Sequence, residues 1–190
     1  MRLSAEFLSN HACTRRFFLK ASCACLPALF CRPAYSRIRD KFPEGKLSLL
    51  NIHTNEKLSV TYRSASGEYD TEALKALNWL LRCHYSGQAV EMDTNVIEFV
   101  NLADKRLGGN NEIHVISGYR SPEYNKLLIS EGRHVVKNSL HLKGQAIDLK
   151  IPHVDLSRVR DVALDLRLGG VGYYRQSDFV HLDSGRLRQW

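Results

Sequence analysis

Apolar and polar residues alternate in Leu47-Ser-Leu-Leu-Asn-Ile52 and again in Leu58-Ser-Val-Thr-Tyr62, with Thr54-Asn-Glu-Lys57 between them. A period of two on both sides of a polar break predicts a β-hairpin. Ser64-Ala-Ser-Gly-Glu68 is a loop, and beyond it the period lengthens. Leu74, Leu77, Leu80 and Leu81 form a helical stripe behind Asp70, a capping residue. Asp93 or Thr94 caps a second helix, with Val96, Ile97, Val100 and Leu107 on its buried face and Gly108-Gly109 as its stop. Glu112-Ile-His-Val-Ile-Ser117 is a strand. Ser121 and Pro122 then open a third helix, expected to run to about Glu131.

Gly132 to Asn138 is a basic polar loop, and Gln145 to Ile151 returns to strand. Asp155 caps a helix to about Leu168, which Gly169-Gly170 breaks. Val171-Gly-Tyr-Tyr174 and Phe179 to Asp183 are short strands joined by Arg175-Gln-Ser-Asp178. There is no internal repeat, low-complexity tract or linker. The pattern predicts one α+β domain, a small antiparallel sheet flanked by helices, in a chain of 190 residues that can bury a real core.

Charge and cysteine content divide the chain in two. Residues 1–36 hold five Lys/Arg against Glu6 alone, leaving 22 basic and 19 acidic residues, a balance of +3, for the rest. That is too mild for a nucleic-acid partner. Cys13, Cys23, Cys25 and Cys31 all precede residue 36, so Cys83 has no partner for a disulfide in the remainder. It reads as a small buried hydrophobe.

The N-terminus reads as an address. Thr14-Arg-Arg-Phe-Phe-Leu-Lys20 precedes an apolar run from Ala21 to Cys31 and then Arg32-Pro-Ala-Tyr-Ser36. The run is about eleven residues, well short of the ~20 that span a bilayer. A positive segment, a short apolar segment and a small-residue exit define an export signal, with cleavage expected after Ser36. Its paired arginines resemble the twin-arginine (Tat) pattern, which implies the Tat translocase as a transient partner and a periplasmic destination. The expected division is therefore a signal at 1–36 and a catalytic domain at 37–190, without a stable membrane anchor.

Candidate chemistry is concentrated in Ser139-Leu-His-Leu-Lys-Gly-Gln-Ala-Ile-Asp148 and Phe179-Val-His-Leu-Asp183. Zinc hydrolases commonly use three protein ligands and leave one position open. His141, Asp148 and His181 would make a His₂Asp set. Gly144 would allow a tight turn between the first two, and small Ala146 would keep the approach clear.

Ser139-x-His141-x-x-Gly144-x-Ala146-x-Asp148 resembles the signature of the D-alanyl-D-alanine-type zinc peptidases, which share a fold with lysostaphin-like enzymes and the hedgehog signalling domain. Ser117-Gly-Tyr-Arg-Ser121 matches the same group. Gly169-Gly-Val-Gly-Tyr-Tyr174 and Phe179-Val-His-Leu-Asp-Ser-Gly-Arg186, ending in Trp190, resemble its murein endopeptidase branch. The likeness runs from about Leu47 to Trp190. It implies one Zn²⁺ on His141, Asp148 and His181, with Arg120 near the developing oxyanion and Ser139 and Tyr119 as substrate-binding candidates.

Two acids fit the general base that the resemblance implies. Asp178 stands three residues before His181, the spacing of many relatives, and Asp183 stands two after it, as in the closer branch. Alternation puts His181 and Asp183 on one strand face, about 6.5 Å apart along the strand. That favours Asp183, with a role in holding the histidine as the alternative. His114 and His134 have no ligand-like neighbours and read as packed or solvated. The expected function is zinc-dependent cleavage of peptide cross-links in peptidoglycan, with its stem peptides as partner. A D-alanyl-D-alanine carboxypeptidase or dipeptidase, or a catalytically silent hedgehog-like zinc module, are the alternatives.

Overall fold

A computed structural model of the chain describes residues 44–133 and 135–190. The predicted export signal and its expected cleavage point, and His134, lie outside these residues. The predicted hairpin is present as β1 (Gly45–Asn51) and β2 (Glu56–Arg63), paired antiparallel. It is followed by α1 (Thr71–Leu80), α2 (Thr94–Arg106), β3 (Glu112–Ser117) and α3 (Pro122–Ser130). Then come β4 (Ala146–Lys150), α4 (Leu156–Leu166), β5 (Gly170–Tyr174), β6 (Phe179–Asp183) and a short β7 (Arg188–Gln189).

Local chemistry explains the boundaries. Asp70 accepts hydrogen bonds from the Glu72 and Ala73 amides, Asp93 from Asn95, and Ser121 from Tyr124. Each therefore satisfies a donor that the first helical turn leaves unpaired. Asp155 precedes α4 but makes no such bond. That helix stops at Leu166, earlier than the sequence predicts, because Arg167 takes a left-handed conformation.

The sheet is larger than expected and mixed. Its seven strands run β2-β1-β3-β4-β6-β5-β7. Most neighbours are antiparallel, but β1 and β3 pair parallel, as do β5 and β7. The expectation of a small antiparallel sheet is corrected at those two joints. Between β1 and β3 the chain passes through α1 and α2, the long crossover that a parallel pair requires.

Alternation gives the sheet's central strands two unlike faces. Ile147, Leu149, Val180, Leu182 and Val171 are buried in the hydrophobic core, which also takes Val96, Val100, Val159 and Ala163 from α2 and α4. Asp148, His181 and Asp183 alternate with those residues and so point to the other face. Cys83 is a buried free thiol in the same core, as its setting predicts. No described helix is long and apolar enough to cross a membrane.

Candidate metal centre

Four strands align the site by register. Ser117 pairs with Asp148, Asp148 with His181, and His181 with Gly172, which makes one row across β3, β4, β6 and β5. A second row runs Ala146, Asp183, Gly170, Arg188. Ser117 enters the first row through a register shift in β3. Val115 is a core residue paired with Leu149, and an unbroken ladder would not set Ser117 opposite Asp148. The register slips between the two, and Ser117, itself buried, becomes the partner of Asp148. No sequence pattern announces that slip.

His141 arrives from a 3₁₀ turn, Leu140–Lys143, opened by the Ser139 hydroxyl and closed by Gly144 in the left-handed region at φ 66°. A side chain at Gly144 would be strained in that conformation and would also press on the Glu91 carbonyl. Ser139 therefore shapes the turn and also lines the cleft.

Three ligand-type atoms from His141, Asp148 and His181 lie within 4.8 Å of one another, and all three residues are buried. Each imidazole is oriented by its other nitrogen. His141 Nδ1 lies 2.6 Å from the Gly118 carbonyl, to which it can only donate, so Nε2 presents its lone pair to the centre. His181 Nε2 lies 3.1 Å from Asp183 Oδ2, leaving Nδ1 to face Asp148 Oδ1 at 2.7 Å. Burial alone would lower the His181 pKa, but hydrogen bonds and charge from Asp148 and Asp183 outweigh it and favour the protonated ring. With its Nδ1 proton displaced by a metal, His181 would join His141 and the carboxylate between them as a donor set suited to a divalent ion.

The electrostatics of Asp148 and His141 suit the same role. Burial by itself would raise the Asp148 pKa, but the charge and hydrogen bonds of His141 and His181 outweigh it and hold the carboxyl well below its usual range. Burial pushes His141 down, towards the neutral form that a ligand needs.

Arg120 lies beside this set. Its Nε donates to Ser117 Oγ at 2.8 Å, and an Nη donates to Asp148 Oδ2. The Gly118 turn that carries it sits against the end of α1, where Tyr119 N donates to the Leu81 carbonyl at 2.8 Å. A Cβ at Gly118 would overlap that carbonyl. The Ser-Gly-Tyr-Arg segment thus supplies both an arginine and the carbonyl that orients His141.

The other predicted residues divide. Asp183 is fully buried. It receives hydrogen bonds from the Gly170 and Gly185 amides and from both terminal nitrogens of Arg188, in addition to its His181 contact. Burial alone would raise its pKa, but the hydrogen bond to His181 and then those from Gly185 and Arg188 lower it, which leaves a weak base that touches the centre only through His181. Asp178 has a side chain 67% exposed, bonds Lys150 Nζ at 2.8 Å, and faces a separate hollow beside His114 and His153. Tyr119 is 8% exposed, belongs to the core, and does not line the cleft.

The cleft holds about 400 Å³. Beyond the ligand set, Arg188, Trp190, Tyr174 and Phe179 border it on the β5–β6 side, and Val135, Val136 and Leu140 also line it. Asp148 is the one acid among the described residues lining it. Arg188 was not legible in advance. The signal available was an arginine two residues before Trp190, in a segment too short to read as a strand.

Comparison with known proteins gives a consistent picture. The family profile described as peptidoglycan L,D-endopeptidase MepK matches residues 42–190. A probable peptidoglycan L,D-endopeptidase MepK of Haemophilus influenzae is 42% identical over 145 residues, covering 76% of this chain and 77% of the relative. The peptidoglycan L,D-endopeptidase MepK of Escherichia coli strain K12 is 36% identical over 163 residues, covering 86% and 88%.

Proposed function

The chain belongs to the family of the peptidoglycan L,D-endopeptidase MepK, and from that membership we propose that it is a zinc-dependent endopeptidase cleaving peptide cross-links of peptidoglycan. The observation that carries the metal assignment is the buried His141–Asp148–His181 group, each imidazole of which is tied back to an acceptor. These three residues are the proposed zinc ligands. Bound there, zinc would supply Lewis acidity to the scissile carbonyl and to an attacking water.

The chain's own residues do the rest. Arg120, fixed by Ser117, presents a planar cation beside the reacting centre, where it stabilises oxyanion charge that appears only in the transition state. Asp183 is a positioning residue. It fixes the tautomer of His181, and Arg188 balances its charge. Asp178 stands outside the cleft, Ser139 shapes the ligand turn, and Tyr119 packs the Arg120 turn onto the core. An arginine beside the ligand set favours a catalytic site over a silent zinc module.

The L,D designation of the relatives names an amide between an L and a D centre. Of the two cross-link types, that describes the 3-3 link, because a 4-3 link has D-alanine on its acyl side. The twin-arginine signal, transient use of the Tat translocase, a periplasmic location without a stable anchor, and a hedgehog-like fold belong to the same proposal. The sequence of residues 14–36 and the two-residue-period site strands support them.

Mass spectrometry of defined substrates tests the reading. Purified 3-3-linked muropeptide dimers should be converted to monomers, and a monomeric pentapeptide should be left intact. Release of terminal D-alanine alone would replace the endopeptidase with a carboxypeptidase.

A further inference from the structure

The glycines of Gly169-Gly-Val-Gly172 have a structural explanation that leads to the substrate. Gly170 and Gly172 alternate on the site face of β5, and the C-terminal segment lies against them. Arg188 pairs in register with Gly170, Trp190 N donates to the Val171 carbonyl at 3.3 Å, and Tyr173 N donates to the Trp190 carbonyl at 2.9 Å. A Cβ at Gly172 would lie 2.7 to 2.9 Å from three atoms of the Trp190 ring system. Gly172 is also the register partner of His181, so the space it leaves brings the indole to the metal centre. The indole and His181 ring centroids are 5.3 Å apart.

The ring is held from several sides. Its Nε1 donates to Tyr174 Oη at 2.8 Å, and the Arg188 guanidinium lies 4.9 Å from its centroid. Even so, Trp190 is 49% exposed, and it borders the cleft. Core packing does not account for a large aromatic ring fixed this firmly and left half open beside a buried ligand set.

We propose that Trp190 is a specificity residue, its indole forming the platform on which the aliphatic chain of the cross-linking diamino residue rests next to the scissile amide. This rests on the proposed function and names the part of the substrate that the site reads. Stem peptides are largely polar. The methylene chain of the diamino residue is their longest apolar stretch, and it lies at the cross-link. A flat aromatic face suits such a chain, and Val135, Val136 and Leu140 add further apolar lining to the cleft. Because the ring is already immobilised, binding against it costs little ordering entropy.

The test is steady-state kinetics of the zinc-loaded protein on a defined cross-linked dimer, with zinc content measured on each variant. Trp190→Ala removes the indole and keeps both backbone hydrogen bonds of the segment. It should raise KM about tenfold while kcat stays within about threefold and zinc remains at one equivalent. Trp190→Phe should recover most of the affinity, and Gln189→Ala, exposed on the same segment, should match the wild type. Gly172→Ala, which displaces the ring without removing it, should reproduce the KM defect.

An independent readout uses the second tryptophan. In a Trp79→Phe background, the dimer should quench the fluorescence of Trp190 in metal-stripped protein. An unchanged KM in Trp190→Ala, no quenching, or a fall in kcat together with lost zinc would overturn the proposal, the last by making the ring a mere prop for His181. A wild type that binds zinc and cleaves no dimer would instead remove the proposed function, and this inference with it.

Discussion

Asp183 shows how much one side chain's role depends on its neighbours. Strand alternation placed it on the face of His181, and the structure agrees, with 3.1 Å between His181 Nε2 and Asp183 Oδ2. The neighbours change its chemistry. Arg188 and two backbone amides occupy its oxygens, leaving no free lone pair to take a proton from water. Asp183→Asn should therefore weaken zinc binding by about 10- to 100-fold, measured by competition with a chelating dye. Turnover should recover when zinc is supplied in excess. Retained zinc affinity with abolished turnover would return Asp183 to the role of base. Asp178→Asn should leave both quantities near wild type. His141, Asp148 and His181 were legible as a group because residue type, spacing and the family resemblance all point to them, and the structure brings their ligand-type atoms together. Asp183 was not, because Arg188 and Gly170, which decide its role, reach it only through the fold.

At the scale of elements, caps and periodicities carried the reading. Asp70, Asp93 and Ser121 begin their helices as expected, and β3 has the predicted bounds. The register slip in β3 and the parallel joints were hidden, since both arise from pairing between distant segments. One joint between elements is ionic. Arg63 at the end of β2 and Glu98 in α2 form a fully buried pair, Nε to Oε1 at 2.7 Å, with Tyr69 donating to the same carboxylate. Glu98→Ala removes one member of this buried ion pair, so urea denaturation should show a loss of about 3–5 kcal/mol.

A second joint between elements responds to pH. His84 stacks on His53 at 3.8 Å and meets Tyr124 of α3 edge-on. Burial first, then the charges of His53 and Arg120, push its pKa down to about 4 from 6.5. Between those values the unfolded chain binds the proton that the folded chain refuses. Stability should thus be complete above pH 6.5 and decline as pH falls towards 4. His84→Gln should flatten that slope in thermal unfolding followed across the range. An unchanged slope would place the pH dependence elsewhere.

At the scale of the molecule, the sheet gathers residues separated by up to 71 positions in sequence, from Ser117 to Arg188, into two adjacent rows. The hydrophobic core lies on one side of these strands and the candidate metal centre on the other, so the site rests on a packed floor. The C-terminal segment adds a wall by pairing with β5. The proposed activity requires zinc at this centre. Its most direct measurement is cleavage of a 3-3-linked dimer by purified protein before chelation, after chelation, and after zinc is restored. Monomer production should stop with chelator and return with one equivalent of zinc. Cleavage that persists in the metal-free protein, or tight zinc binding with no cleavage at all, would contradict the proposal.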